Sequence, residues 1–526
     1  MVHLPRRRAP PGASDTSSKI IRDLGLHLTN PENIESLKAR FYDAAVRVVL
    51  SQPHLQTGIV GETSKKPKFV RLDSFDLRNH IEWISLDSSK DSEAQYLKTM
   101  QSNLDAKFSD ISTRPGWKII VLHKAGADCI DVIYVWDHSH HDGMSGKIFH
   151  QQLLQNLNSK AKSDERIPAV RNTDKDPDHW IVDLPDYSDK LPPPPEDLCA
   201  FRSSLPWLAK TVFNEVKPPK LFPPGDMYAK WAPIKTSPYK TRFRTFTIGH
   251  EIVTRVVEAC RHHKTTVTGL LHGLALLSLS TQLKEAKGFA SRTPYDLRRI
   301  LPSGPRKYPW LEPKEAMCNY VSVVDHGFDA GLVAKIRAKL PDIAEAERET
   351  ASTASRPLPA DLMDLVWSVS ARIRREIKAT LDAGGRNDII GLMKLAGDFR
   401  DVQQSEARKP RHLSWLVTNL IVMDGKSSEA EIKASVDTDG ANIGAQGHIR
   451  EEKGERGDGG GWSVRRAELV LSAEVCSAAL SVSLVTVKNE QMAVTCSWQD
   501  CAVEAGIGEG LLNDLERWMK EIGSAG

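Results

Sequence analysis

The stretch Trp136-Asp-His-Ser-His-His-Asp-Gly-Met-Ser-Gly146 decides how the rest of the chain is organised. Three His and two Asp fall within residues 137–142, a density that core packing does not require. Two apolar runs, 117–123 and 129–136, are joined by a short loop that contains glycine, a pattern that predicts a β-hairpin. A helical pattern over 147–157 follows. We therefore interpret the stretch as a functional turn between a strand and a helix.

The residues of this turn suit acyl transfer from a thioester. Such a reaction needs a group that removes the proton of the attacking nucleophile, and histidine, with a pKa of about 6.5, is suited to this. His138 is the candidate base. Asp142, four residues later, is expected to point inward and brace the turn by pairing with an arginine. Gly143 is the small residue that lets a substrate approach.

Outside the turn, the chain is long enough for more than one core. We predict a lead-in without stable structure over 1–29, because the basic residues 6–8 are followed by Pro and Ser rather than by the apolar run of a secretory signal. An N-terminal domain over 30–190 is followed by a proline-rich crossover, 191–240. A C-terminal domain is expected over 241–526, with a flexible polar insertion over 426–461.

Composition excludes several classes of protein. There are 71 basic and 68 acidic residues, so no electrostatic footprint for nucleic acid is present. Seven scattered Cys fit a reducing compartment better than a disulfide framework. The longest apolar helical run, 270–279, is too short to cross a bilayer. We expect a cytoplasmic monomer, and leave open its peripheral association with the endoplasmic reticulum or lipid droplets.

His138-Ser-His-His-Asp142-Gly143 resembles the HxxxDG motif of the coenzyme A-dependent acyltransferase superfamily. That superfamily includes chloramphenicol acetyltransferase, plant BAHD acyltransferases, peptide-synthetase condensation domains and fungal alcohol acetyltransferases. The BAHD signature DFGWG is absent, which favours the fungal alcohol acetyltransferase-like branch. Five further segments resemble family patterns in order: Gln52-Pro-His-Leu55, Leu191-Pro-Pro-Pro-Pro-Glu196, Thr266-Val-Thr-Gly-Leu-Leu-His-Gly273, Asp296-Leu-Arg298 with Cys318-Asn319-Tyr320, and Thr418-Asn419-Leu420.

The resemblance implies an α/β fold of two chloramphenicol-acetyltransferase-like sandwich domains with a tunnel at their interface. It implies an acyl-CoA-dependent O-acyltransferase that moves an acetyl group from acetyl-CoA, or another acyl group, to an alcohol hydroxyl. Its partners would be acyl-CoA and a small-molecule acceptor, an alcohol or, for N-acyl transfer, an amine. The reaction would pass through a ternary complex without a covalent intermediate or bound cofactor. His138 would be the base and Arg298 the structural partner of Asp142. The residues that would shape the site are Thr418, Asn419 and Asn319.

Three alternatives stay open at this point. His138, His140 and Asp142 nearly fit the HxHxDH signature of zinc hydrolases, although Gly143 replaces the final His. An N-acyltransferase or condensation enzyme could share the same fold, and so could a binding protein without activity. His140 and His141 are expected to shape the turn or face solvent, and His272 to be a satisfied core residue.

Overall fold

We describe the protein from a computed structural model. The residues that it describes are 18–27, 34–127, 129–159, 170–173, 176–187, 189–216, 228–235, 239–340, 358–395, 398–425, 461–473 and 476–524. The predicted insertion lies outside these residues except for its last position.

The described residues form an α/β protein. Its strands are β1 (Ser18–His27), β2 (Thr57–Val60), β3 (Lys68–Arg71), β4 (Ser74–Asp76), β5 (Ile81–Leu86), β6 (Trp117–Lys124), β7 (Cys129–Asp137), β8 (Val170–Thr173), β9 (Asp176–Asp183), β10 (Thr241–Gly249), β11 (Phe289–Asp296), β12 (Val321–Phe328), β13 (Trp415–Met423), β14 (Ser463–Val464), β15 (Ala467–Leu471), β16 (Leu480–Val487) and β17 (Gln491–Gln499). Its helices are α1 (Ile34–Ser51), α2 (Ser92–Leu104), α3 (Gly143–Asn158), α4 (Pro195–Leu198), α5 (Leu205–Val216), α6 (His250–His262), α7 (Val267–Gln282), α8 (Ala330–Ala338), α9 (Ala360–Asp382), α10 (Phe399–Ala407) and α11 (Ala505–Ser524).

The first lobe is built on a six-stranded sheet. Its strand order is β14-β1-β7-β6-β5, and β15 also pairs with β1. The predicted hairpin is present, because β6 and β7 pair antiparallel with Trp117 opposite Trp136. Residues 132–137 are all buried, as expected for a central strand covered on both faces. This strand carries the chain into the turn, and α3, packed against α1, carries it away.

The second lobe is built on another six-stranded sheet, of order β10-β17-β16-β13-β11-β12. Strand β13 lies in its middle, parallel to β11 and β16. Helices α7, α9 and α11 pack together on this lobe. Each lobe has a large apolar cluster. No helix among the described residues is long and apolar enough to cross a membrane.

The structure corrects the predicted division of the chain in three places. Residues 18–27 lie in the segment predicted to lack structure, yet they form β1 and pair with β7 and β15. Strands β14 and β15 come from the predicted C-terminal domain but join the sheet of the first lobe. The proline-rich crossover is not extended throughout, because α4 and α5 form within it. Local patterns missed the pairing of β1, β14 and β15 because the paired residues lie far apart in the chain.

Candidate active site

The turn between β7 and α3 is shaped by Asp142. Its backbone is extended, and its Oδ1 accepts a hydrogen bond from the amide of Ser145 at 2.8 Å, which caps the first turn of α3. Aspartate is among the preferred residues for this role, because it satisfies an amide that the helix leaves without a partner. The helix consequently begins at Gly143, earlier than its apolar pattern indicated.

His138 stands at the start of the turn with its imidazole half-buried. Its Nδ1 lies 2.8 Å from the carbonyl oxygen of His141. A carbonyl can only accept a hydrogen bond, so Nδ1 carries the proton in the neutral ring and Nε2 carries the lone pair. The turn therefore selects one tautomer and fixes the plane of the ring.

The carbonyl of His141 is itself held from a second direction. The indole Nε1 of Trp136 donates to the same oxygen at 2.9 Å. The ring of His141 is fully buried, and its Nδ1 lies 3.1 Å from the hydroxyl of Tyr134. Burial holds the pKa of His141 well below its ordinary value, and neighbouring His140 lowers that pKa further. His141 consequently stays neutral near pH 7 and serves as a support for His138.

Asp142 is joined to Arg298 across the boundary between the lobes. Arg298 Nη1 lies 2.6 Å from Asp142 Oδ2, and Nη2 lies 3.2 Å from Oδ1. Both side chains are almost completely buried. The structure thus brings together the two residues that the family resemblance paired. The two-pronged geometry makes the contact strong and directional.

The surroundings of this ion pair supply the rest of its hydrogen bonds. The amide of Tyr320 donates to Asp142 Oδ2 at 2.8 Å, and Arg298 Nη2 donates to the carbonyls of Ala316 and Cys318. Burial alone would raise the pKa of Asp142, but the charge and hydrogen bonds of Arg298 hold that pKa below its ordinary value. Asp142 raises the pKa of Arg298 despite burial. The pair therefore stays ionised around neutral pH.

The second lobe touches the turn again through Asn319. Its Nδ2 donates to the backbone carbonyl of His138 at 2.7 Å. Thr418 and Asn419 lie nearby along β13, paired in parallel with Ser483 and Leu484 of β16. Asn419 uses both ends of its amide within its own lobe: Nδ2 donates to Thr268 Oγ1 at 3.0 Å, and Oδ1 accepts from the amide of Ile421 at 2.6 Å.

Strand β13 bulges immediately after Asn419 and packs on the start of α3. The pairing with β16 shifts between Asn419 and Val422, where Ile421 has a φ of 63°. That conformation is costly for a β-branched residue. A side chain at Gly143 would come within 2.9 Å of Leu420 Cδ2. Gly143 therefore lies close to the flexible end of Leu420 in the second lobe, and its expected role in opening space for substrate stays a prediction.

The arrangement does not fit the zinc alternative. Both carboxylate oxygens of Asp142 are occupied by Arg298 and backbone amides. His140 is completely buried, and its ring packs edge-on against Phe69. Among the described residues, no group of three His, Cys, Asp or Glu is arranged to hold a metal ion. Of the two expectations for His140 and His141, shaping the turn or facing solvent, the structure agrees with the first, since both rings are buried beneath the turn.

The sequence analysis missed two residues that hold the site together. Ser145 Oγ accepts a hydrogen bond from the amide of Cys318, and its single proton can be donated to Asp142 Oδ1 at 2.9 Å or to the carbonyl of Cys318 at 2.8 Å. Asp142 is itself a preferred N-cap residue, and its place just before the helical pattern could have indicated the cap. Gln52 joins the lobes as well, because its amide donates to the carbonyl of Glu315 and accepts from the amide of Met317. No local pattern reveals that second contact.

The sequence and the fold of the chain resemble those of known acetyltransferases and condensation domains. A family model described as alcohol acetyltransferase matches residues 78–317. The probable alcohol acetyltransferase FCK4 of Fusarium pseudograminearum is 29% identical over 541 residues, covering 98% of this chain and 95% of that protein. The structure of TRI3 trichothecene 15-O-acetyltransferase from Fusarium sporotrichioides superposes with a TM-score of 0.62 at 13% identity, covering 97% and 92% of the two chains. The condensation domain of the monacolin K polyketide synthase MokA gives 0.54 at 10% identity, with the same coverage.

The fold is the two-lobed α/β architecture of these acetyltransferase and condensation-domain structures. The expected architecture of two chloramphenicol-acetyltransferase-like lobes is confirmed by these likenesses. In sequence the chain is similar to alcohol acetyltransferases, and this likeness supports an acyltransferase enzyme.

Proposed function

We propose that the protein transfers an acetyl group from acetyl-CoA to the hydroxyl group of a small alcohol, with His138 as the general base. The observation that carries this proposal is the 2.8 Å contact between His138 Nδ1 and the carbonyl of His141. It leaves the lone pair on Nε2, the ring nitrogen that can take a proton. FCK4 is a probable alcohol acetyltransferase and TRI3 a 15-O-acetyltransferase, which supports a hydroxyl group as the acceptor.

The reaction proceeds in one ternary complex at the junction of the lobes. His138 Nε2 takes the hydroxyl proton as the alcohol oxygen attacks the thioester carbonyl, forming a C–O bond. The tetrahedral intermediate then collapses, the C–S bond breaks, and the imidazolium returns the proton to the departing thiolate. The products are an ester and free coenzyme A, and no acyl group is attached to the protein.

The residues around His138 act by holding it in place. His141 and Asn319 fix the ring and the backbone of His138, while Asp142 and Arg298 lock the turn to the second lobe. Thr418 and Asn419 are proposed to shape the acceptor side of the site. A preorganised base of this kind contributes about 10²–10⁴-fold in rate.

Release of thiol from acetyl-CoA in the presence of a panel of alcohols and amines tests this function. We expect acceptor-dependent release that falls by about 10²–10⁴-fold in His138→Ala, with an unchanged melting temperature. His250→Ala, at an exposed histidine that begins α6, is the matched control and should behave as the intact protein.

Two results would contradict the proposal. Near-normal turnover in His138→Ala would remove the histidine from the chemistry. Release with amines but with none of the alcohols would replace the O-acyltransferase by an N-acyltransferase on the same fold.

A further inference from the structure

Helix α5, in the proline-rich crossover, turns an apolar face to solvent. Between residues 205 and 213 the half-buried side chains are Trp207, Leu208 and Thr211. The other six positions are exposed, and at roughly 100° per residue they span about 160° of the helix circumference. These exposed residues are Leu205, Pro206, Ala209, Lys210, Val212 and Phe213.

The exposure of this face is pronounced. Leu205 is 80% exposed, Phe213 49% and Val212 46%. A surface helix ordinarily presents charged and polar residues to water and apolar residues to the core. Lys210 is the only charged residue between 205 and 213, and it stands at one edge of the exposed face. Helix α5 therefore exposes an apolar surface of the kind that commonly marks an interaction site.

Cationic side chains and another apolar residue lie beside the start of α5. The amide of Ser204 donates to Asn387 Oδ1 at 2.8 Å, and the amide of Asn387 donates to the carbonyl of Arg202 at 2.9 Å. These bonds fasten the helix to the loop that follows α9. Ile389 in that region is 42% exposed, and both Arg202 and Arg386 are exposed.

The acidic residues nearby do not cancel these cations. Asp388 is buried and accepts a hydrogen bond from Ser322 at 2.7 Å. Asp382, at the end of α9, pairs with Lys378 at 2.6 Å. Among the residues from α4 to α5 and in the loop after α9 whose side chains the structure describes, Arg202, Lys210 and Arg386 are exposed. The unburied acids of α4 are exposed Asp197 and half-buried Glu196. The patch combines an apolar centre with a positively charged edge.

We propose that α5 and the adjoining loop dock on the surface of an anionic lipid membrane. The helix would lie parallel to the surface, with Leu205, Val212 and Phe213 entering the acyl boundary. Lys210 reaches from the edge of that face to the headgroups, as long cationic side chains do. Arg202 and Arg386 meet anionic lipid by charge complementarity. This inference is independent of the proposed chemistry.

Co-flotation of the full-length protein with vesicles tests the docking. Vesicles of phosphatidylcholine with about one third phosphatidylserine are compared with phosphatidylcholine alone, at low and high salt. We expect binding to the anionic vesicles that weakens with salt. Leu205→Glu combined with Val212→Glu should lower the bound fraction at least tenfold. Leu97→Glu, at a 41%-exposed leucine of α2, is the matched control and should bind as the intact protein.

The substituted positions are exposed, so the variants are expected to fold, and circular dichroism checks this. Absence of binding to both kinds of vesicle by the intact protein would overturn the proposal. Equal loss of vesicle binding in Leu97→Glu would show that binding does not depend specifically on the apolar face of α5. A change of oligomeric state in the α5 variant with unchanged vesicle binding would assign the face to contact between copies of the chain instead.

Discussion

Each lobe buries a group of histidines, and the two groups differ in how their ring nitrogens are satisfied. In the second lobe, Trp415 Nε1 donates to His272 Nδ1 at 3.0 Å, so His272 Nε2 must donate to Thr293 Oγ1 at 2.8 Å. Thr293 in turn donates to His326 Nε2 at 2.9 Å, and His326 Nδ1 donates to Glu376 at 2.6 Å. All four ring nitrogens of His272 and His326 therefore have a hydrogen-bond partner.

In the first lobe, two buried imidazoles have a hydrogen-bond partner on one ring nitrogen only. His141 Nε2 and His80 Nε2 are buried without a hydrogen-bond partner among the described residues. Each ring is anchored through its other nitrogen, His141 by Tyr134 and His80 by the carbonyl of Trp117 at 2.7 Å. These rings must stay neutral, because a charge there would lack compensation.

The hydrogen-bonded histidines of the second lobe thus form a structural network, whereas His141 of the first lobe supports the proposed base, His138. The continuous chain of hydrogen bonds in the second lobe confirms that His272 is a core residue with both ring nitrogens hydrogen-bonded. His138 differs from both groups, because it is half-buried at the lobe junction and its Nδ1 lies 2.8 Å from a backbone carbonyl. Three variants test how firmly this contrast holds.

The largest effect on stability is expected at the ion pair below the turn. Asp142→Ala leaves the buried guanidinium of Arg298 uncompensated, which should lower the free energy of unfolding by about 3–5 kcal/mol and reduce turnover with it. Urea denaturation and thiol release measure the two losses. Asp296→Ala is the control, because Asp296 also contacts Arg298 at 3.0 Å but is less buried. Lost activity with an unchanged unfolding curve would give Asp142 a chemical role in place of a bracing one.

The sequence predicted those parts of the site that local patterns determine. The hairpin and the turn follow from apolar runs and from residues adjacent in the chain. Arg298 lies 156 residues from Asp142, and only the family resemblance connected them. The support by the His141 carbonyl was beyond prediction, since a backbone oxygen has no sequence signature. Strand β1 was missed because its partners, β7 and β15, lie far along the chain.

An intermediate effect concerns pH and the half-satisfied imidazoles of the first lobe. Burial lowers the pKa of His80 to about 4, below the value of about 6.5 in an unfolded chain. Between these values the unfolded chain binds a proton that the folded protein does not. Stability is therefore complete above about pH 6.5 and falls as pH drops toward 4, by about 3 kcal/mol in total.

His80→Asn keeps a donor for the Trp117 carbonyl but does not titrate, so its unfolding free energy should lose that part of the pH dependence. Denaturation at pH 7 and at several values down to pH 4.5 measures the slope. The same substitution at exposed His262 controls for removal of a histidine. Parallel curves for the intact protein and His80→Asn would show that His80 is not the titrating group.

The smallest effect is expected at the centre of the satisfied chain in the second lobe. Thr293→Val keeps the shape of the side chain but removes the hydroxyl that accepts from His272 and donates to His326. Two buried ring nitrogens lose a partner, which should cost about 2 kcal/mol of unfolding free energy. Turnover at saturating substrate should stay unchanged, because the network holds the core of the second lobe and not His138. Ser322→Ala, at another buried hydroxyl of this lobe, controls for loss of a single hydrogen bond. A large fall in turnover with little loss of stability would mean that the network serves the reaction, and the contrast between the lobes would fail.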